Sequence, residues 1–224
     1  MTFNGATLIG TDTSSPYSFS WTSVAAGTYS LTARAFDNLG ASTNSAAISI
    51  TVNQGPTTLI AKNSVWKYLD NGSNQGTAWS ATAFVDTTWA SGAGQLGYGD
   101  GDEATVVSFG PSSSNKYITT YFRRAFSVVN PTFGSLRINI VRDDGAVVYL
   151  NGVEVARTNM PNGTITFTTR ASSAIGGSAE STYNVINIPA SALVAGTNVI
   201  AVELHQSAAN SNDLSFDLEL LGQP

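Results

Sequence analysis

Cysteine is absent from the 224 residues, which removes disulfides, thiolate nucleophiles and Cys-based zinc sites at once. Histidine occurs once, as His205, too few for a zinc centre built on imidazoles. Charge is scarce: Asp, Glu, Lys and Arg make up 11% of the chain, against ~25% in an ordinary soluble domain. The 10 basic residues are outnumbered by 15 acidic ones and form no stripe, so a phosphate backbone would be repelled and nucleic acid is excluded as a partner. No apolar run approaches the ~20 residues that a membrane-spanning helix needs. Met1 leads straight into Thr2-Phe3-Asn4-Gly5 without a secretory leader, so a segment of a longer protein is expected.

What remains is a sequence for strands. Hydrophobic residues make up 42%, enough for a packed core, and the polar share is carried by Ser, Thr, Asn and 21 glycines. Over residues 1–53, Asn4-Gly5 reads as a hairpin turn, and Tyr17–Trp21, Thr28–Ala35 and Ile48–Val52 read as strands. Residues 54–58 form a polar linker with a Gly-Pro break. Beyond it the strand candidates are 59–68, 104–109, 117–129, 135–141, 145–150, 153–157, 164–169, 183–188, 198–205 and 214–221. With turns such as Asn151-Gly152 between them, this spacing predicts a β-sandwich jelly roll over 59–224. The fold class is therefore all-β.

Two resemblances sharpen this reading. Phe3-Asn4-Gly5, Ala26-Gly27-Thr28-Tyr29 and Ala35–Gly40 resemble the bacterial immunoglobulin-like repeats of secreted proteins. Such repeats carry two further strands first, so residues 1–53 are expected to be a partial immunoglobulin-like domain with an uncovered face. A homodimer joined through that face is the expected remedy. Phe84–Trp89 with Leu96-Gly97-Tyr98-Gly99, then Asp144–Val155, then Leu193–Glu203 are similar to galactose-binding-like jelly rolls attached to glycoside hydrolases. That resemblance implies a non-catalytic, carbohydrate-binding accessory module of a secreted or cell-surface bacterial protein, with a glycan as partner. The alternative is a structural spacer or adhesin module that binds no small ligand.

Catalytic machinery is hard to assemble from these residues. No Gly-x-Ser-x-Gly elbow accompanies His205. Asp143 and Asp144 are adjacent, so on a strand they would point to opposite faces and could not flank one bond. For sugar binding, Trp79 stands out because a polar, Gly-containing loop precedes it, and Tyr98 because it lies between two glycines. Both are expected to be exposed, whereas Trp66 and Trp89 are expected in the core. Arg142 and Asp143 offer donors and acceptors for hydroxyls, although Arg142 equally suits an internal ion pair. His205 is either a ligand contact or a polar group at the core edge. The acidic loop Asp100-Gly101-Asp102-Glu103 is either a solvated tip or a calcium site, with Asp70 and Asp213 as remote contributors. Structural calcium, common in the jelly rolls it resembles, is the expected cofactor.

Overall fold

The computed structural model describes all 224 residues, Met1–Pro224, and they divide into two compact units, Met1–Gly55 and Pro56–Pro224. No helix is long and apolar enough to cross a membrane.

The first unit is one antiparallel sheet. Strands β1 (Thr2–Asn4) and β2 (Thr7–Gly10) form a hairpin, and β1 also pairs with the long β3 (Gly27–Phe36). Strands β4 (Ser42–Asn44) and β5 (Ile48–Val52) pair with opposite ends of β3. Asn4 pairs with Thr7, so the hairpin loop is Gly5-Ala6, one residue later than expected; Gly5 supplies its left-handed backbone at φ +55°. Tyr17–Trp21, expected to be a strand, is loop. The Asp12 carboxylate accepts the N–H groups of Ser14 and Ser18 at 2.9 and 2.7 Å, which holds this backbone in a turn instead of a ladder. No residue of Met1–Gly55 is buried, and a groove of about 650 Å³ is lined by Tyr17, Phe19 and Phe36.

The second unit is a two-sheet sandwich. Its strands are β6 (Thr57–Ile60), β7 (Val65–Leu69), β8 (Ala90–Ala93), β9 (Leu96–Tyr98), β10 (Thr105–Val106) and β11 (Thr119–Val128). They continue with β12 (Ser135–Arg142), β13 (Gly145–Leu150), β14 (Val153–Thr158), β15 (Asn184–Pro189), β16 (Gly196–His205) and β17 (Leu214–Gln223). One sheet runs β10-β9-β17-β12-β15 with β6 on β17; the other runs β14-β13-β16-β11-β7-β8. Every pair is antiparallel except β9 with β10.

The single strand expected over 59–68 is two strands in different sheets. Asn63, at φ +58°, and the Ser64 hydroxyl bound to Ala61 O turn the chain across the sandwich. Asn151 and Gly152, at φ +53° and +85°, make the expected two-residue hairpin between Leu150 and Val153. Residues 164–169 form no strand, because Thr166 and Thr169 bond each other through hydroxyl and backbone.

The core alternates as a pleated strand requires. On β16, Ile200, Val202 and Leu204 face the inter-sheet core with Phe122, Val148, Leu218 and Leu220. Phe122 stacks on Phe216 across the sandwich, with centroids 4.1 Å apart. Val199, Ala201, Glu203 and His205 alternate with them, yet are also buried. Two loops cover that outer face: one carries Trp79, Phe84 and Trp89, the other Met160, Ile165, Phe167 and Ala171. The second unit therefore has an extra apolar layer made of loops.

Candidate functional site

The outer loop layer decides the fate of the first aromatic candidate. Trp79, expected to be exposed, is 2% exposed, packed edge-on against Tyr121 and Tyr149 and stacked with Trp89. Arg123 of β11, itself buried, locks the loop that carries it. Its guanidinium donates to the carbonyls of Trp79, Ala81 (3.2 Å) and Phe84 (3.5 Å), and its Nε pairs with Asp86 at 2.9 Å. Nothing in the sequence marked Arg123; the signal available was a charged residue directly after the aromatic pair Tyr121-Phe122 in a long strand.

His205 lies on the same outer face, fully buried. Its Nδ1 lies 3.0 Å from Thr119 Oγ1 and 2.7 Å from Thr169 O. Its Nε2 lies 3.3 Å from Glu203 Oε2 without making a hydrogen bond, and Glu203 accepts the Tyr149 hydroxyl at 2.6 Å. Burial, followed by the Glu203 charge, pushes the Tyr121 phenol up to about 12. This is an internal network under a lid, with His205 Nε2 left unpartnered, and it is out of reach of a polymeric substrate.

A second constellation gathers where β9, β12 and β17 meet their loops. Tyr98, also expected to be exposed, is buried: its hydroxyl accepts Gln206 Nε2 at 3.0 Å, and Lys116 Nζ sits 5.0 Å over its ring. Lys116, missed from sequence, is buried and donates to the carbonyls of Ser211 and Asn212, directly before Asp213. Arg142 is buried as well, with Nε on Thr158 Oγ1 at 3.2 Å. All five expected sugar contacts, Trp79, Tyr98, Arg142, Asp143 and His205, are thus internal.

Asp143 and Asp144 do not lie on a strand but in the turn between β12 and β13, so the opposite-face expectation fails. The Asp144 and Asp213 carboxyl groups both act on that of Asp143. Asp144 is satisfied, taking the N–H groups of Ile175 and Ser207 at 2.7 Å each. Asp143 is fully buried and receives no N–H or O–H on either oxygen. Burial first, then Asp144 and Asp213, pushes its carboxyl up to about 9.

The acidic residues divide into those used by the fold and those free for a cation. Glu103 turns inward, its two oxygens taking the N–H groups of Asp100 and Gly101 at 2.9 and 3.0 Å. Asp70 lies elsewhere, accepting Ser108 N at 2.6 Å, and belongs to neither acidic group. Carboxylate oxygens of Asp100, Asp102 and Glu103 lie within 4.8 Å of one another, as do those of Asp100, Glu180 and Asp213. Glu180 was not among the expected metal ligands, because in sequence it stands as an isolated glutamate with no visible pairing.

The second unit also has an open cleft of about 260 Å³, lined by Tyr117, Phe167, Asn115, Ser112, Thr168 and Lys116. The Tyr117 ring lies against Gly72 and Gly110, whose backbones are left-handed at φ +71° and +98°. A Cβ on Gly72 would stand 2.3 Å from that ring, so the tyrosine position depends on glycine there.

Comparison with known proteins adds a family for one segment. Residues 2–33 match the bacterial Ig domain family. No curated protein matches the sequence. Among solved structures the chain is similar to Bacteroides uniformis β-glucuronidase at 16% identity and TM-score 0.49, covering 75% of this chain and 18% of that one. A β-glycosidase from Bacteroides vulgatus is similar at 14% identity and TM-score 0.45, with 75% and 20% covered. A β-glucuronidase from an uncultured Clostridium is similar at 12% identity and TM-score 0.45, with 78% and 30% covered. The likeness spans less than a third of each of these enzymes.

Proposed function

We propose that the chain is a non-catalytic accessory part of a secreted or cell-surface, multidomain bacterial protein, and that its β-sandwich binds a carbohydrate in the Tyr117 cleft. The cleft is the observation that carries this reading. It combines two aromatic rings, Tyr117 and Phe167, with uncharged donors and acceptors from Asn115, Ser112 and Thr168. Rings cover the apolar face of a sugar while amides and hydroxyls bond its rim. The galactose-binding-like resemblance and the bacterial Ig match over residues 2–33 agree with an accessory role. A structural calcium on the acidic loops belongs to the same reading.

Affinity electrophoresis through soluble polysaccharides tests it. The wild-type chain is expected to be retarded by at least one polysaccharide, and Tyr117→Ala to run free while melting as the wild type does. Retardation that survives Tyr117→Ala and Phe167→Ala, or none on any polysaccharide, refutes the cleft. The spacer reading has its own support, since all five residues first read as sugar contacts are buried. A glycan panel with no binder would favour it.

A further inference from the structure

We propose that Asn162 is a site of spontaneous deamidation, where the Gly163 nitrogen displaces ammonia from the asparagine side chain and the isoaspartyl linkage that results frees the loop held by Arg157. This stands whether or not the Tyr117 cleft binds a sugar.

Four Asn-Gly pairs occur in the chain: Asn4-Gly5, Asn71-Gly72, Asn151-Gly152 and Asn162-Gly163. Glycine lacks the Cβ that would hinder its nitrogen from reaching the asparagine Cγ, so all four can react when unfolded. Folding restrains three of them. Gly5 N donates to Ser30 O at 2.9 Å, which ties that nitrogen into the first sheet. Asn71 Oδ1 accepts Ser73 N at 3.0 Å and Ser73 Oγ at 2.6 Å, which fixes the side-chain carbonyl that would be attacked. The Asn151 amide is wholly committed: Nδ2 donates to Ala192 O and Asn198 Oδ1 at 2.8 Å each, and Oδ1 accepts Val199 N at 2.9 Å.

Asn162 and Gly163 carry none of these restraints. Both are exposed, and neither the Asn162 amide nor the Gly163 nitrogen makes a hydrogen bond. No atom beyond the chain neighbours lies within 4 Å of where a Gly163 Cβ would stand, so a cyclic imide has room to form. Each hydrogen bond that must open before attack slows it by about two- to tenfold. One such bond protects the Asn4 pair, two protect Asn71 and three protect Asn151.

The reaction balances with water alone. The Gly163 nitrogen bonds to Asn162 Cγ, the Cγ–Nδ2 bond breaks, and the proton lost from Gly163 leaves with Nδ2 as ammonia. Water then opens the imide at Cγ, giving aspartate, or at the main-chain carbonyl, giving isoaspartate with the chain running through Cβ and Cγ. Position gives the change its consequence. Arg157 Nη1 donates to Pro161 O at 2.6 Å and Gly163 O at 3.1 Å, on either side of Asn162. Its Nε and Nη2 hold Glu154 at 2.6 and 2.8 Å. Isoaspartate inserts one more carbon between the two clamped carbonyls and brings a new carboxylate to compete with Glu154 for the guanidinium. The same loop lays Ile165, Phe167 and Ala171 on the outer face of the sandwich.

Ageing the full folded chain at mildly alkaline pH, then mapping the tryptic peptide Thr158–Arg170 by mass spectrometry with enzymatic isoaspartate labelling, tests the site. Asn162 is expected to convert faster than every other Asn-Gly pair, and at least about tenfold faster than Asn151. In concentrated urea all four should convert at similar rates. An intact Asn162 in the aged folded chain, or Asn4, Asn71 or Asn151 converting as fast, overturns the assignment. The same ranking in urea also overturns it, because flanking sequence and not the fold would then select Asn162. Hydrogen exchange reads the release of the loop. The N–H groups of Thr169 and Ala171, bonded to Thr166 O and Gln206 O, should exchange at least about threefold faster in the aged chain than in the fresh one. Asn162→Gln aged alongside should exchange as the fresh chain does. Unaltered exchange in the aged chain, or equal acceleration in aged Asn162→Gln, overturns the release.

Discussion

Replacing Arg123 with Met should release the loop that closes the outer layer of the sandwich. The residue is 2% exposed, and its guanidinium is the hub for three carbonyls, Trp79 O, Ala81 O and Phe84 O, and for the Asp86 carboxylate. Methionine keeps much of the aliphatic volume beneath the Phe84 ring, so the loss is mainly polar. Asp86 has a 29% exposed side chain and regains water, so its share of the cost is small. The carbonyls fare worse: that of Trp79 sits above a fully packed layer, and each buried acceptor left bare costs about 1–3 kcal/mol. Ala81 O keeps one partner in Phe84 N, which limits the total. The expected destabilisation is about 3–5 kcal/mol, the range for breaking one side of a buried pair. For a unit of this size that lowers the melting midpoint by roughly 6–20 °C. Urea unfolding followed by tryptophan emission reads the effect directly, since Trp79 and Trp89 stack under this loop. Native emission should shift to the red as they gain water. A loss below about 1 kcal/mol with unshifted emission would mean that apolar contacts of the two tryptophans hold the loop alone, and would refute the reasoning.

Other expectations follow from single features. The Tyr121 phenol, pushed up to about 12 by burial and Glu203 from an ordinary value of 10.0, keeps its proton in the folded state while the unfolded chain loses it. Stability should therefore fall as pH rises from about 10 to 12, and a melting midpoint flat across that window would contradict it. Asn198 is fully buried, with Oδ1 on Asn151 Nδ2 (2.8 Å) and Val194 N (2.9 Å) and Nδ2 on the Val194 and Gly196 carbonyls. Asn198→Ala should cost about 2–4 kcal/mol in chemical denaturation; an effect within 0.5 kcal/mol would show that water replaces the amide. The N-terminal unit, which buries none of its own residues, is expected to pair with a second copy. The full chain should sediment as a dimer and Pro56–Pro224 as a monomer of equal melting temperature, and a monomeric full chain would refute the pairing.

Strand periodicity made most of the sandwich legible, and the reason is physical. Strands β12, β13, β16 and β17 span the two-sheet core, where alternation is enforced by burial on the inner face, and their expected boundaries fall within two residues of those observed. Asn151-Gly152 was legible because its left-handed pair has few alternative uses. The failures share a different cause. Tyr17–Trp21 and 164–169 alternate like strands, but short-range bonds from the Asp12 carboxylate and the Thr169 hydroxyl capture their backbones first. Ladder pairing is a long-range property, and a local acceptor two to six residues away competes with it before any partner strand arrives.

The candidate site was misread for a related reason. A polar loop before Trp79 and the glycines around Tyr98 suggested exposure, which holds when loops border solvent on both sides. Here the loops are a third layer, and whether a loop aromatic points inward depends on what the sheet presents beneath it. The outer positions of β11, β13 and β16 offer Tyr121, Tyr149 and Ala201, an apolar patch against which Trp79, Trp89, Phe84 and Phe167 pack. In the same way, Asp143 read as a hydroxyl acceptor because sequence cannot show that folding buries both of its oxygens away from solvent. Local spacing names the residue types that can do chemistry. The balance of donors and acceptors, which exists only after folding, decides which of them remain free to do it, and at Asp143 that balance leaves both carboxyl oxygens without a donor.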